Sequence, residues 1–117
     1  MEGSSKKEAI AARLALSRKQ AGLSQGQVAK MLHLHRPSIS EMEAGRRNVS
    51  VAELAQLSEI YGVDIEWLAC IDTDKSDVVR DKVHLAAREL SKLKQEDLDR
   101  VMDLLSALRV PKEGNES

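Results

Sequence analysis

Three glycines, Gly22, Gly45 and Gly62, each close an apolar run that recurs every three to four residues, the spacing of one helical face. Two of them are followed shortly by a serine able to open another helix. Ser24 has Gln27 three positions on, and Ser50 has Glu53, so both stretches read as capping boxes in which side chain and backbone satisfy each other. This punctuation leaves room only for short helices. The first runs over about 6–21 with Ile10 and Leu14 on its apolar face, and the second over about 25–32 with Val28, Ala29 and Leu32 inward. After the break His33-Leu34-His35, a third helix begins near Arg36 with Pro37 in its first turn, where a missing N–H costs nothing, and turns Ile39 and Met42 inward. A fourth runs from the Ser50 cap through Leu54, Leu57 and Ile60 to Tyr61, and a fifth over about 64–70 contributes Ile65, Trp67 and Leu68.

Composition agrees with helices. The chain holds one Trp, one Tyr and no Phe, so its core is built from aliphatic residues, whereas strands favour aromatic and β-branched ones. At 117 residues it can hold one ordinary domain or a minimal one with an appendage. Residues 72–77 (DTDKSD) read as a linker. A sixth helix is expected over about 77–91, with Val79, Val83, Ala86 and Leu90 inward, and a seventh over about 95–109. In the last, Leu98, Val101, Met102, Leu105 and Leu108 form one apolar stripe. The expected organisation is therefore a folded domain over 6–71, the linker, a C-terminal helical segment over 78–110 for dimerisation or regulation, and a disordered tail over 111–117. No apolar run is long enough to span a membrane, and MEGSSKKEAI lacks the apolar stretch of a signal peptide. With a single cysteine, Cys70, which cannot form an internal disulfide, the expected location is the cytoplasm.

Net charge is −1, but between Arg13 and Arg47 seven basic residues face only Glu41 and Glu43. A locally basic segment in a neutral chain is compatible with a specific DNA binder. Two short helices about three residues apart, the second carrying small polar and basic side chains, fit a helix-turn-helix. Spacing of this kind is common to all helical bundles. More specific is the combination of Arg18 before Gly22-Leu23-Ser24-Gln25, then Val28-Ala29, Ile39-Ser40, Met42-Glu43-x-Gly45, and the closing Tyr61-Gly62-Val63 with Trp67-Leu68. Over residues 16–69 the chain closely resembles the Xre/Cro-type helix-turn-helix regulators of phage and bacteria. It departs from them at His33, where the family usually places glycine in the turn, and at Pro37, where many members carry a polar reader.

The resemblance implies an all-α, five-helix, phage-repressor-like domain followed by a two-helix extension. It implies double-stranded DNA as partner, with the third helix laid in the major groove. Base readers would then be His35, Arg36, Ser38, Ser40 and Glu41, the arginine being able to bond guanine bidentately and the glutamate to accept from cytosine. Ser24 and Gln25 at the start of the second helix, with Arg46, Arg47 and Asn48 in the loop after the third, would hold backbone phosphates. Glu41 has a competing reading, the orientation of a neighbouring arginine. Arg18 and Glu43 are implied to be an internal ion pair tying the first helix to the third, and thus architecture.

Other chemistries find little footing. His33-x-His35 lacks further ligands for a metal, the serines lack a nucleophile elbow or a placed base, and no glycine-rich phosphate loop follows a strand. Cys70 reads as a small packed hydrophobe. No catalysis, metal or cofactor is expected. A single helix-turn-helix unit reads few bases, so a homodimer on a pseudo-palindromic operator is expected, joined through Leu98, Val101, Met102, Leu105 and Leu108. The principal reading is a transcriptional repressor. The alternative is an antitoxin-like protein whose C-terminal helices mask a toxin while its DNA binding autoregulates the operon. A looser resemblance, in domain order, is to regulators inactivated by an ImmA/IrrE-like metallopeptidase that cuts in the C-terminal part.

Overall fold

The computed structural model describes residues 2–109, and every regular element among them is a helix. In chain order these are α1 (Glu2–Gln20), α2 (Gln25–Met31), α3 (Arg36–Glu43), α4 (Val51–Tyr61), α5 (Ile65–Leu68), α6 (Val78–Ser91) and α7 (Gln95–Ala107). The all-α class anticipated from glycine punctuation and aliphatic composition is the class observed. The expected tail, 111–117, lies outside the described residues. The chain divides into two compact units, the first ending at Ala86 and the second beginning at Ala87.

In the first unit the aliphatic faces of the short helices converge on one core, with Leu14, Val28, Ile39, Met42, Leu57 and Leu68 almost wholly removed from solvent. α3 packs on both α2 and α1, which fixes its inner face and leaves its outer face uncovered. Both capping boxes form: the Ser24 hydroxyl accepts from the Gln27 N–H while the Gln27 amide oxygen accepts from the Ser24 N–H, and Ser50 and Glu53 repeat the exchange. The turn after α2 closes with the same bonds as those at Gly22 and Gly45 but around a different residue. At His33 φ is +58°, a left-handed backbone reached here without glycine. The His33 N–H donates to Lys30 O and the Leu34 N–H to Ala29 O, the paired bonds of a Schellman ending.

The unit reaches past the polar stretch 72–77 to include the first part of α6. The orientation of α6 reverses the expectation from its periodicity. Val79 and Val83 are 72% and 62% exposed, Ala86 is exposed and Leu90 is half-buried, while Asp81 and Leu85 are buried. A charge sets this rotation. Arg13, on the inner face of α1, is itself 1% exposed and donates from Nε to Asp81, from Nη1 to Trp67 O and Asp72, and from Nη2 to Asp72. A guanidinium so far from water requires a counter-charge, and Asp81 supplies it by facing inward. Beside this pair the Arg13 guanidinium lies 4.6 Å from the Trp67 ring centroid, and the His84 ring stacks on Trp67 at 4.5 Å.

The second unit comprises the end of α6, the turn at Lys92-Leu93-Lys94 and α7. No residue of α7 is buried. Leu98 and Val101 are half-buried, whereas Met102, Leu104, Leu105 and, at the helix end, Leu108 are exposed. The leucine at 104 enlarges the apolar face beyond the stripe read from the sequence. No helix among the described residues is long and apolar enough to cross a membrane.

Candidate nucleic-acid interface

The residues expected at the groove lie on the open side of α3 or at its start. His35 is the N-cap, extended in backbone and making no side-chain cap bond, and Arg36 and Pro37 form the exposed first turn. Ser38, Ser40 and Glu41 are half-buried on the same helix, whose inward residues are Ile39 and Met42. Arg36 has no ion-pair partner among the described residues. It lies near the start of α2, since a Cβ on Gly26 would stand 4.0 Å from its Cδ and 3.9 Å from Ser24 Oγ. Between the two helix starts is an open cleft of about 500 Å³ edged by Ser24, Gln27, Lys30, His35 and Arg36, with no carboxylate in its lining. The first-turn N–H groups of a helix have no intrahelical acceptor and carry the positive end of its dipole. The capping box occupies only that of Gln27, so the α2 start keeps donors for an anion.

Arg18 and Glu43 meet as a forked pair, Nε to Oε2 at 2.7 Å and Nη2 to Oε1 at 3.0 Å, with the remaining Nη1 donating to Leu23 O. Both side chains are largely shielded from solvent. Gln25, expected at a phosphate, joins this pair: its amide nitrogen donates to Glu43 at 2.9 Å. Its side chain therefore fixes the start of α2 against α3, and its main chain remains at the helix start.

The loop arginines are also engaged. Arg46 donates from Nε and Nη2 to Glu41, which holds the Glu41 carboxyl below the usual carboxylate range and keeps it charged. Arg47 donates from Nη1 and Nη2 to Glu53, and that hydrogen bonding likewise lowers the Glu53 carboxyl. Asn48 is exposed. Of the seven cations counted between Arg13 and Arg47, four (Arg13, Arg18, Arg46 and Arg47) are thus paired with carboxylates inside the chain. Arg13 was counted among the basic residues of the segment, yet it faces the core. Its partners, Asp72 and Asp81, lie 59 and 68 residues away, beyond the reach of any local pattern. Lys19, Lys30 and Arg36 carry no ion-pair partner among the described residues, and two of these three edge the α2–α3 cleft. A fork of Arg46 keeps Nη1 free of Glu41, so phosphate contact and the carboxylate pair are compatible there.

Among the described residues no three His, Cys, Asp or Glu side chains gather as metal ligands. Cys70 is buried, and that burial raises its thiol pKa and leaves it a poor nucleophile.

Comparison with known proteins matches residues 14–68 to the helix-turn-helix family, a span running from the inner face of α1 to the end of α5. No curated protein and no solved structure matches the chain.

Proposed function

We propose that this chain, whose residues 14–68 match the Xre/Cro-type helix-turn-helix family, is a DNA-binding transcriptional regulator, and more specifically a repressor binding a pseudo-palindromic operator as a homodimer. The observation that carries the sequence-reading part is Arg36. It is exposed in the first turn of α3 and edges an acid-free cleft, and unlike four other arginines of the domain it is not neutralised by a neighbouring carboxylate. A planar fork in that position suits O6 and N7 of guanine. His35, Ser38 and Ser40 complete the reading face. Glu41 acts there chiefly by aiming Arg46, and a direct contact to cytosine would require it to release that arginine. Ser24, the α2 backbone at Gln25, Arg46, Arg47 and Asn48 hold the phosphates on either side.

The homodimer is supported by α7. Its apolar side chains, Leu98, Val101, Met102, Leu105 and Leu108, lie on a helix with no buried residue, and an exposed apolar stripe of this kind is stabilised by a like stripe on a second copy. Selection of random duplexes by the full chain tests both parts. Enrichment of a two-fold symmetric motif is the expected result. Arg36→Ala should then lose about 1–3 kcal/mol of discrimination at one base position of each half-site, leaving the others readable. Asymmetric enrichment would count against the dimer, and no enrichment at any salt would count against sequence reading altogether.

A further inference from the structure

A second basic niche lies away from the α2–α3 cleft. The loop after α3 passes close over α1, where a Cβ on Gly45 would stand 3.8 Å from the Cβ of Ala11 and 4.0 Å from the backbone of Glu8. One turn toward the N-terminus, Lys6 and Lys7 of α1 face Arg47 and Asn48 of the loop across a niche of about 300 Å³ floored by Ile10 and Met42. No carboxylate lines it. The cations around it are not equivalent. Arg47 is tied to Glu53, and Lys6 lies 3.3 Å from Asp74, whereas Lys7 has no ion-pair partner among the described residues. Lys7 is nevertheless half-buried and lines the niche together with Ile10 and Met42, a setting in which a long cationic side chain can bury its stem and bring its charge to the surface.

We propose that Lys7, with the Asn48 amide, forms a phosphate-binding site that takes a backbone phosphate of duplex DNA and makes α1 part of the DNA-contacting surface. The inference rests on the DNA-binding reading above and extends it to a helix so far described as scaffold. Asn48 stands in the loop directly after the groove-facing helix, so a DNA strand tracked by that loop passes the niche. A phosphate accepted there meets an amide donor from the loop and an uncompensated ammonium from α1. Lys6 and Arg47 need not leave their carboxylates. The contact carries no base information, because it is made to the backbone alone.

The test is equilibrium binding of the full chain to its selected duplex and to an unrelated duplex across a salt series. Lys7→Ala should lower the salt slope by about 1 for each protomer on both duplexes and leave the ranking of base substitutions unchanged. Lys7→Gln, which keeps most of the side chain's length and removes the charge, should do the same. Lys19→Ala, at the other end of α1, should leave the slope as it is. Scanning single neutral methylphosphonates along the duplex should locate one position per half-site whose neutralisation weakens the wild-type chain and not Lys7→Ala. A wild-type slope in both Lys7 variants, or a methylphosphonate profile they leave unchanged, overturns the site while the repressor reading stands. A wild-type chain that selects no motif but loses slope through Lys7 on any duplex has the reverse meaning: the phosphate site is present and the operator reading fails.

Discussion

At the scale of single residues the chain departs most visibly from the helix-turn-helix family it resembles at His33, and the structure shows what that departure costs. The turn between α2 and α3 needs a left-handed residue at this point, because only then can the His33 and Leu34 N–H groups reach back to Lys30 and Ala29. In an L-residue this conformation costs roughly 1–2 kcal/mol, from the crowding of Cβ against the following carbonyl. The side chain is exposed, so its removal empties no packed volume. His33→Gly should therefore stabilise the domain, by about 0.5–1 kcal/mol once glycine's extra freedom in the unfolded chain is subtracted. Urea unfolding would show it as a higher midpoint with unchanged slope. A lower midpoint would mean that the imidazole makes a stabilising contact. Cys70 has nearly the same backbone, φ +53°, but is fully buried, so glycine there would trade relief of strain for a cavity and should not stabilise. The same distinction between identity and setting applies to the arginines. Five arginines from Arg13 to Arg47 could be read as DNA contacts by charge alone, yet Arg13 and Arg18 are held inside the fold while Arg36 faces solvent.

At the scale of elements, what is legible in the sequence is what is closed locally. The capping boxes at Ser24 and Ser50 span three residues, and the helices they open are found where those boxes place them. Arg18 and Glu43 were reachable only through the family resemblance, and the rotation of α6 was not reachable at all. Its valines predict one inner face, but the buried Arg13 demands another, and no i to i+4 pattern records an arginine 68 residues upstream. The residues proposed as readers were legible as positions on α3, but their pairing was not, since the Glu41–Arg46 and Gln25–Glu43 bonds emerge only when helix ends and loop are folded. The Arg13–Asp81 pair yields a sharp expectation. Asp81→Ala leaves a buried guanidinium with Asp72 alone, a half-exposed partner, and should cost about 3 kcal/mol or more. Arg13→Met with Asp81→Leu removes both charges and fills the space with apolar atoms, so the double variant should be more stable than Asp81→Ala. Thermal or urea unfolding of the three chains decides it. If Asp81→Ala unfolds like the wild type, the inward turn of α6 has another cause.

At the scale of the molecule, the segment after Ile71 divides its work between α6, which closes the domain, and α7, the proposed interface, and this changes where the chain can be cut. The domain expected to end at Ile71 omits Asp72, Asp81, His84 and Leu85, which neutralise Arg13, stack on Trp67 and close the core. A chain ending at Ile71 should therefore melt well below one ending at Ser91, which keeps all four. A chain ending at Ser91 lacks α7 and its apolar face but retains every residue proposed to touch DNA. It should fold as the full chain does and sediment as a monomer at concentrations where the full chain is a dimer. Its affinity for a symmetric operator should fall steeply, because two linked half-site contacts become two independent ones. A half-site duplex would be bound with little change. Melting and sedimentation of the three lengths separate the two functions of the C-terminal segment. Equal melting of the 71- and 91-residue chains would show that the inner face of α6 contributes nothing to the domain. A dimeric 91-residue chain would move the interface from α7 to the first unit, where Val79 and Val83 on the open face of α6 are the exposed apolar side chains nearest to hand in sequence.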